Sequence, residues 1–122
     1  METKQKLPVK FKEKWVAALR SGKYKQGESY LYNADDNSWC CIGVAANVCG
    51  IGKDKLDEGG YVENSSYKLM EAVKSGKKYP TMLIGSGSEN ALVNKLAGFN
   101  DGFDNSKPKS FKWIANYIER YL

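Results

Sequence analysis

The thirteen residues Ser38-Trp39-Cys40-Cys41-Ile42-Gly43-Val44-Ala45-Ala46-Asn47-Val48-Cys49-Gly50 carry no charge and hold all three cysteines of the chain. Such a run has to be buried, and the rest of a small protein has to be built around it. Cys41, Ala45, Val48 and Cys49 recur at helical spacing with Ile42 beside them, which predicts a short core helix closed by Gly50. The polar turn Asn33-Ala34-Asp35-Asp36-Asn37 precedes it, so Asn37 or Ser38 is the expected N-cap. Gly43 weakens such a helix, and its presence predicts a close approach by another helix or by backbone. A helix N-terminus can activate a thiol, which draws attention to Cys40 and Cys41. Inert packing is the favoured reading of both, because free cysteine behaves as a small buried hydrophobe.

At 122 residues the chain suits one domain over 1–122 with a single core, residues 1–7 forming a mobile lead-in. No apolar run approaches the roughly 20 residues that span a bilayer, and the start lacks the apolar segment of a signal peptide. A cytoplasmic protein with no membrane partner is therefore expected. Three cysteines, two of them adjacent, make a poor disulfide framework and fit a reducing compartment. There is no histidine, which removes imidazole-based triads, histidine general bases and histidine-ligated zinc. The cysteine spacing matches no structural zinc signature, so neither a metal nor a cofactor is expected.

The net charge of +5 is uneven. Residues 1–28 hold eight basic side chains against three acids, whereas residues 29–122 hold 11 of each. A cationic front of this kind attracts phosphate-bearing partners or serves as a solvated face.

Along the chain, Pro8 directs Leu7 to extended backbone, and a helix is expected from Val9 to Ser21 with Phe11, Trp15, Ala18 and Leu19 inward and Gly22 as its cap. Lys23 to Ser29 reads as a basic loop. Tyr30-Leu31-Tyr32 has strand-like content, and the Asp35-Asp36-Asn37 turn lets the chain return from Ser38 as an antiparallel partner, strand giving way to helix at Trp39 or Cys40. Residues 51–62 read as a surface loop. A helix bearing Leu69, Met70 and Val73, capped by Asn64 or Ser65, should stop at Gly76, followed by a short strand from Tyr79 to Ile84. Ser86 with Glu89 has capping-box form and would open a helix with Leu92, Val93 and Leu96 in the core. Phe99-Asn100-Asp101-Gly102 reads as a turn. Ser110 caps the last helix, in which Phe111, Ile114, Ala115, Ile118 and Leu122 share one face and Trp113, Tyr117 and Tyr121 form a second stripe. That stripe is extra core or a surface for another chain, with homo-oligomerisation through this C-terminal helix the favoured reading. The expected fold class is α+β: a mainly α-helical single domain of about five short helices with a small antiparallel β-hairpin or sheet.

Three groups of residues carry a resemblance. They are Trp15-Val16-Ala17-Ala18-Leu19-Arg20-Ser21-Gly22-Lys23-Tyr24 with Gln26-Gly27; Cys40-Cys41-Ile42-Gly43-Val44; and Phe99-Asn100-Asp101 followed by Ser110-Phe111, Ile114-Ala115 and Ile118-Glu119. Together they resemble a family of small uncharacterised proteins common in bacteriophage genomes and prophages. The likeness covers both ends and the centre, and residues 51–84 depart from the pattern. It implies a biological setting in a phage-infected host and no particular reaction, and it raises Asn100 and Asp101 to candidate site residues.

The leading functional expectation is a non-enzymatic, phage-type accessory or anti-defence protein in the host cytoplasm. Its ligand would be a phosphate-bearing small molecule, such as a nucleotide-derived signal to be sequestered, or a host protein. On this reading Arg20, Lys23 and Lys25 contact phosphates, Tyr30, Tyr32 or Trp39 stacks on a base, and Asn100 and Asp101 complete the site. The alternative is a hydrolase acting on a nucleotide or nucleic acid, using Asp35, Asp36 or Asp101 with a metal, or Cys40 as a thiol nucleophile. Direct nucleic-acid binding through the N-terminal charge is a third class; against it stand the neutral remainder of the chain and the lack of a recognised module.

Overall fold

The computed structural model describes residues 6–28, 30–57, 73–74, 76, 78–84, 90–102 and 107–122. Five helices and a three-stranded mixed sheet make up the ordered elements among them: α1 (Val9–Arg20), β1 (Lys25–Gln26), β2 (Tyr32–Asn33), β3 (Ser38–Trp39), α2 (Cys41–Val48), α3 (Lys53–Asp57), α4 (Ala91–Asp101) and α5 (Phe111–Tyr121), with a single 3-10 turn at Thr81–Leu83. The α+β class, helical with a small sheet, is as expected.

α2 is the centre. Six of its eight residues, Cys41 to Ala46, are buried. α1 lies against α2 and α5, and α4 packs on both α2 and α5. Trp15 of α1 is wholly buried and its indole N–H donates to the Cys41 carbonyl at 3.0 Å. The α5 stripe of Phe111, Ile114, Ala115 and Ile118 is buried as its spacing predicts. Gly43 has the neighbour its presence implied: a Cβ there would overlap the carbonyl oxygen of Leu31, so the chain entering β2 crosses directly over α2. No helix among the described residues is long and apolar enough to cross a membrane.

The hairpin is present. β2 pairs antiparallel with β3, Tyr32 opposite Trp39 and Asn33 opposite Ser38. Its turn is held by the Asn33 side chain, which accepts from the Asp35 amide at 3.0 Å, and by Asn37 in the left-handed region at φ 56°. The third strand is a departure: Lys25–Gln26 lies parallel to β3 on its other edge, where a loop is expected. Two residues have too little propensity to announce a strand; the Gly27 amide bonded to the Trp39 carbonyl at 2.8 Å continues the pairing that holds them.

Other elements differ as well. The N-cap of α2 is Cys40, whose sulfur accepts from the Gly43 amide at 3.4 Å; the Ser38 hydroxyl is engaged instead by Asp36 at 2.5 Å. Leu7, expected in the mobile lead-in, is buried and its amide donates to the Leu122 carbonyl at 3.1 Å. Lys53–Asp57 is helix within the expected loop, anchored by buried Leu56. The segment from Tyr79 to Ile84 holds the 3-10 turn Thr81–Leu83 rather than a strand, and the Tyr79 hydroxyl, donating to the Leu83 carbonyl at 3.0 Å, closes the segment on itself. Phe99, Asn100 and Asp101 are the last turn of α4, which ends at Gly102 with φ 90°. The capping pair Ser86 and Glu89 and most of the helix expected before Gly76 lie outside the described residues. α4 is capped by Asn90, which accepts from the Val93 amide at 3.1 Å.

Candidate functional site

Asn100 is the buried polar residue around which the candidate site is built. It is wholly inaccessible, and a buried amide must find partners. Its Oδ1 accepts from the Cys41 amide at 3.1 Å and from Gln26 Nε2 at 3.3 Å; its Nδ2 donates to the Gly27 carbonyl at 2.7 Å and to Asp101 Oδ1 at 2.8 Å. Gln26 extends the set. Its Nε2 also donates to the Lys109 carbonyl at 2.7 Å, and its Oε1 accepts from the Phe111 amide at 3.0 Å. The Lys109 amide donates to the Phe99 carbonyl at 2.7 Å. One polar knot thus ties β1, the start of α2, the end of α4 and the approach to α5.

Gln26-Gly27, Cys40-Cys41, Phe99-Asn100-Asp101 and Ser110-Phe111 are far apart in the chain and meet here. An open cleft of 520 Å³ lies over the knot, lined by Gln26, Gly27, Glu28, Asp36, Asn100, Pro108, Lys109 and Ser110. Its lining is of mixed sign, with Glu28 and Asp36 against Lys109. Gly27 is required because a Cβ there would overlap the Ser38 hydroxyl. The amides of Asn100 and Gln26 are engaged with the backbone, so what they do is fix four segments relative to one another.

The thiols next to the knot are buried and hard to ionise. Cys40 is 1 % exposed, and burial pushes its thiol from an ordinary 9.0 up to about 12, with the Gly43 amide pulling weakly the other way. Cys41 is likewise held well above its ordinary range, first by burial, and its S–H donates to the Leu96 carbonyl at 3.5 Å. Cys49 is half-buried and raised to about 11 by desolvation, Lys14 offsetting part of it. Buried Tyr79 is likewise held well above its usual range, first by desolvation. Among the described residues no group of three or more Cys, Asp and Glu is placed to hold a metal ion.

The expected site residues divide. Arg20 faces Glu119 in a two-point pair at 3.0 and 3.1 Å and bonds Asn116 Oδ1 at 2.7 Å, lining a separate groove of 380 Å³ between α1 and α5. Lys23 is exposed. Lys25 reaches from β1 to the Asp36 carbonyl at 3.3 Å. Tyr32 and Trp39 are core residues, 6 % and 7 % exposed, their rings 4.6 Å apart and Tyr24 set edge-on to Trp39 at 5.0 Å. Asn100 and Asp101 belong to the knot. Lys25, Tyr32 and Trp39 therefore gather on the sheet beside Asn100, and Arg20 stands apart on α1. Gln26 is the central residue that the reading of site residues leaves out. The signal for it was its place, with Gly27, in the same motif set as Asn100.

No curated protein and no solved structure matches the chain. A family model described as a domain of unknown function, DUF8296, matches residues 7–122. That span takes in every element of the fold and the whole knot, and the chain belongs to the DUF8296 family.

Proposed function

We propose that this chain works by binding rather than by catalysis, as a phage-type accessory or anti-defence protein whose partner carries phosphate groups. The observation that supports this is the state of Cys40. It stands at a helix N-terminus, where a nucleophilic thiol would be activated, and is instead buried, used as a helix cap and raised to about 12. Three free thiols, two of them fully buried, also suit the reducing cytoplasm of a host cell. Lys23 and Lys25 remain exposed for phosphate contacts. Arg20 is engaged by Glu119, and Tyr32 and Trp39 have no free ring face, so a base would need other rings.

Titration calorimetry against cyclic nucleotides and ADP-ribose derivatives tests the reading. Saturable heat from one member of the panel supports a nucleotide-derived ligand. Silence throughout would remove the nucleotide-derived ligand, and chemical turnover of any member of the panel would transfer the protein to the hydrolases.

A further inference from the structure

Among the described residues three large apolar side chains are exposed, and two of them, Trp113 at 38 % and Tyr121 at 53 %, lie on one stripe of α5. Half-buried Tyr117 stands between them. The rings form a continuous row: Trp113 and Tyr117 are 5.9 Å apart with planes 13° from parallel, and Tyr117 and Tyr121 are 4.9 Å apart. Phe99 of α4 supports the row from behind, edge-on to Trp113 and Tyr117 at 4.9 Å each. α5 is docked chiefly through the neighbouring face of Phe111, Ile114, Ala115 and Ile118, with Tyr117 half-buried at its edge, so Trp113 and Tyr121 are left in solvent.

The row is bordered by cations. Lys109 Nζ is 5.0 Å from the Trp113 ring centroid and the Arg120 guanidinium 5.6 Å from that of Tyr121. Residues 107–122 contain Lys107, Lys109, Lys112 and Arg120 against a single acid, Glu119, and that acid is neutralised by Arg20. Lys109 is not placed by chance: its backbone is held on both sides, by the Phe99 carbonyl and by Gln26 Nε2, each at 2.7 Å. The knot therefore presents a cation to the ring row.

A second copy of the chain would bring this basic border against itself. An aliphatic partner helix would leave the cations without a counterpart. A chain of stacked bases with phosphates at its edge satisfies both features. We propose that the α5 face is a docking surface for single-stranded nucleic acid, with bases stacking on Trp113, Tyr117 and Tyr121 and phosphates meeting Lys109, Lys112 and Arg120. This deepens the reading of a phosphate-bearing partner and rests on it. Duplex fits poorly, because its base faces are already stacked.

The test uses the full chain and a fluorescein-labelled oligothymidylate of about 20 nucleotides, long enough to cover one stacking site. Anisotropy should report binding whose logarithm falls with log salt at a slope of about −2, as for three neutralised phosphates. Trp113→Ala or Tyr121→Ala should weaken it about tenfold, and Arg120→Gln should flatten the slope by roughly a third. Because Trp15 and Trp39 are buried, quenching of tryptophan emission by the oligonucleotide should come from Trp113 and disappear in Trp113→Phe. Binding unchanged in Trp113→Ala would place the contact on the N-terminal lysines and overturn the proposal, as would equal affinity for duplex. Sedimentation showing a dimer that Trp113→Ala dissociates would assign the face to a second copy instead. If the oligonucleotide fails while a mononucleotide still gives heat in calorimetry, the α5 proposal falls and the phosphate-ligand reading stands; if both fail, both fall.

Discussion

Gln26 and Asn100 share a hydrogen bond of 3.3 Å, and between them their side chains hold six hydrogen bonds that join four segments of the chain. Asn100→Ala takes the Asn100 partner from the buried Cys41 amide and from the half-buried Gly27 carbonyl. The expected cost is about 3 kcal/mol, at roughly 1 to 3 kcal/mol for each orphaned group, or about 10 °C in the melting midpoint. Gln26 is half-buried, so water can replace part of what Gln26→Ala removes, and that variant should melt between Asn100→Ala and the parent. Thermal denaturation by circular dichroism decides the order; a parent-like Asn100→Ala would remove the knot from the account of stability.

Gly43→Ala should destabilise, against the ordinary gain of about 1 kcal/mol for replacing glycine inside a helix. The new methyl group meets the Leu31 carbonyl, which is backbone and cannot swing away. A loss of about 2 kcal/mol or more in urea denaturation is expected. Gly22→Ala is the control: nothing lies within 4 Å of its Cβ position, but φ is 78°, and strain alone should cost about 1 kcal/mol.

Stability should fall on the alkaline side. Folded Cys40 and Cys49 hold their protons up to about 12 and about 11, whereas unfolded thiols release theirs near 9.0. Above that point the unfolded state binds fewer protons than the folded one, so unfolding becomes easier as pH rises. The stabilisation is complete below pH 9 and is lost through the window up to the folded values, with Cys41 and Tyr79 acting in the same direction. Each fully shifted thiol contributes a slope of about 1.4 kcal/mol per pH unit. Urea titrations at neutral pH and at intervals above pH 9 measure it. In the folded protein at neutral pH, iodoacetamide should label Cys49 first and Cys40 only on the timescale of unfolding.

Two helix caps should separate by context. Ser110 does one thing, accepting from the Trp113 amide at 3.1 Å, and Ser110→Ala should cost about 1 kcal/mol. Asn90 caps α4 and also donates to the Met82 carbonyl at 2.9 Å and the Ile84 carbonyl at 2.6 Å. Asn90→Ala should therefore be the more damaging of the two in the same denaturation assay.

The Arg20–Glu119 pair is exposed at both ends and should matter little at physiological salt. Arg20 holds the Glu119 carboxyl below its usual range, chiefly by their hydrogen bond. What the pair contributes is present above the unfolded carboxyl pKa and is lost as pH falls through the folded value. Arg20→Ala should melt indistinguishably from the parent in high salt, with any difference confined to low salt and neutral pH.

What could be read in the sequence was whatever repeats with a helical or alternating period. The inward stripes of α1 and α5, the hairpin at Asp35-Asp36-Asn37 and the crowding at Gly43 are all legible, because local spacing and backbone conformation decide them. β1 was not, since Lys25 and Gln26 become a strand only through pairing with Ser38 and Trp39. Asn100-Asp101-Gly102 has the chemistry of a turn, and tertiary hydrogen bonds at Asn100 draw its first two residues into α4 instead. Cys40 displaced Ser38 as the cap because Asp36 takes the hydroxyl first. Arg20 has the charge of a phosphate ligand, and only the position of Glu119 on a distant helix shows where that charge is used.

The knot reaches 59 residues, from Cys41 to Asn100, and 85 residues, from Gln26 to Phe111. Loops of that length are expensive to close before their contacts exist. The sheet and α2 can therefore assemble early and still wait, like a door hung without its latch, until the final helix arrives.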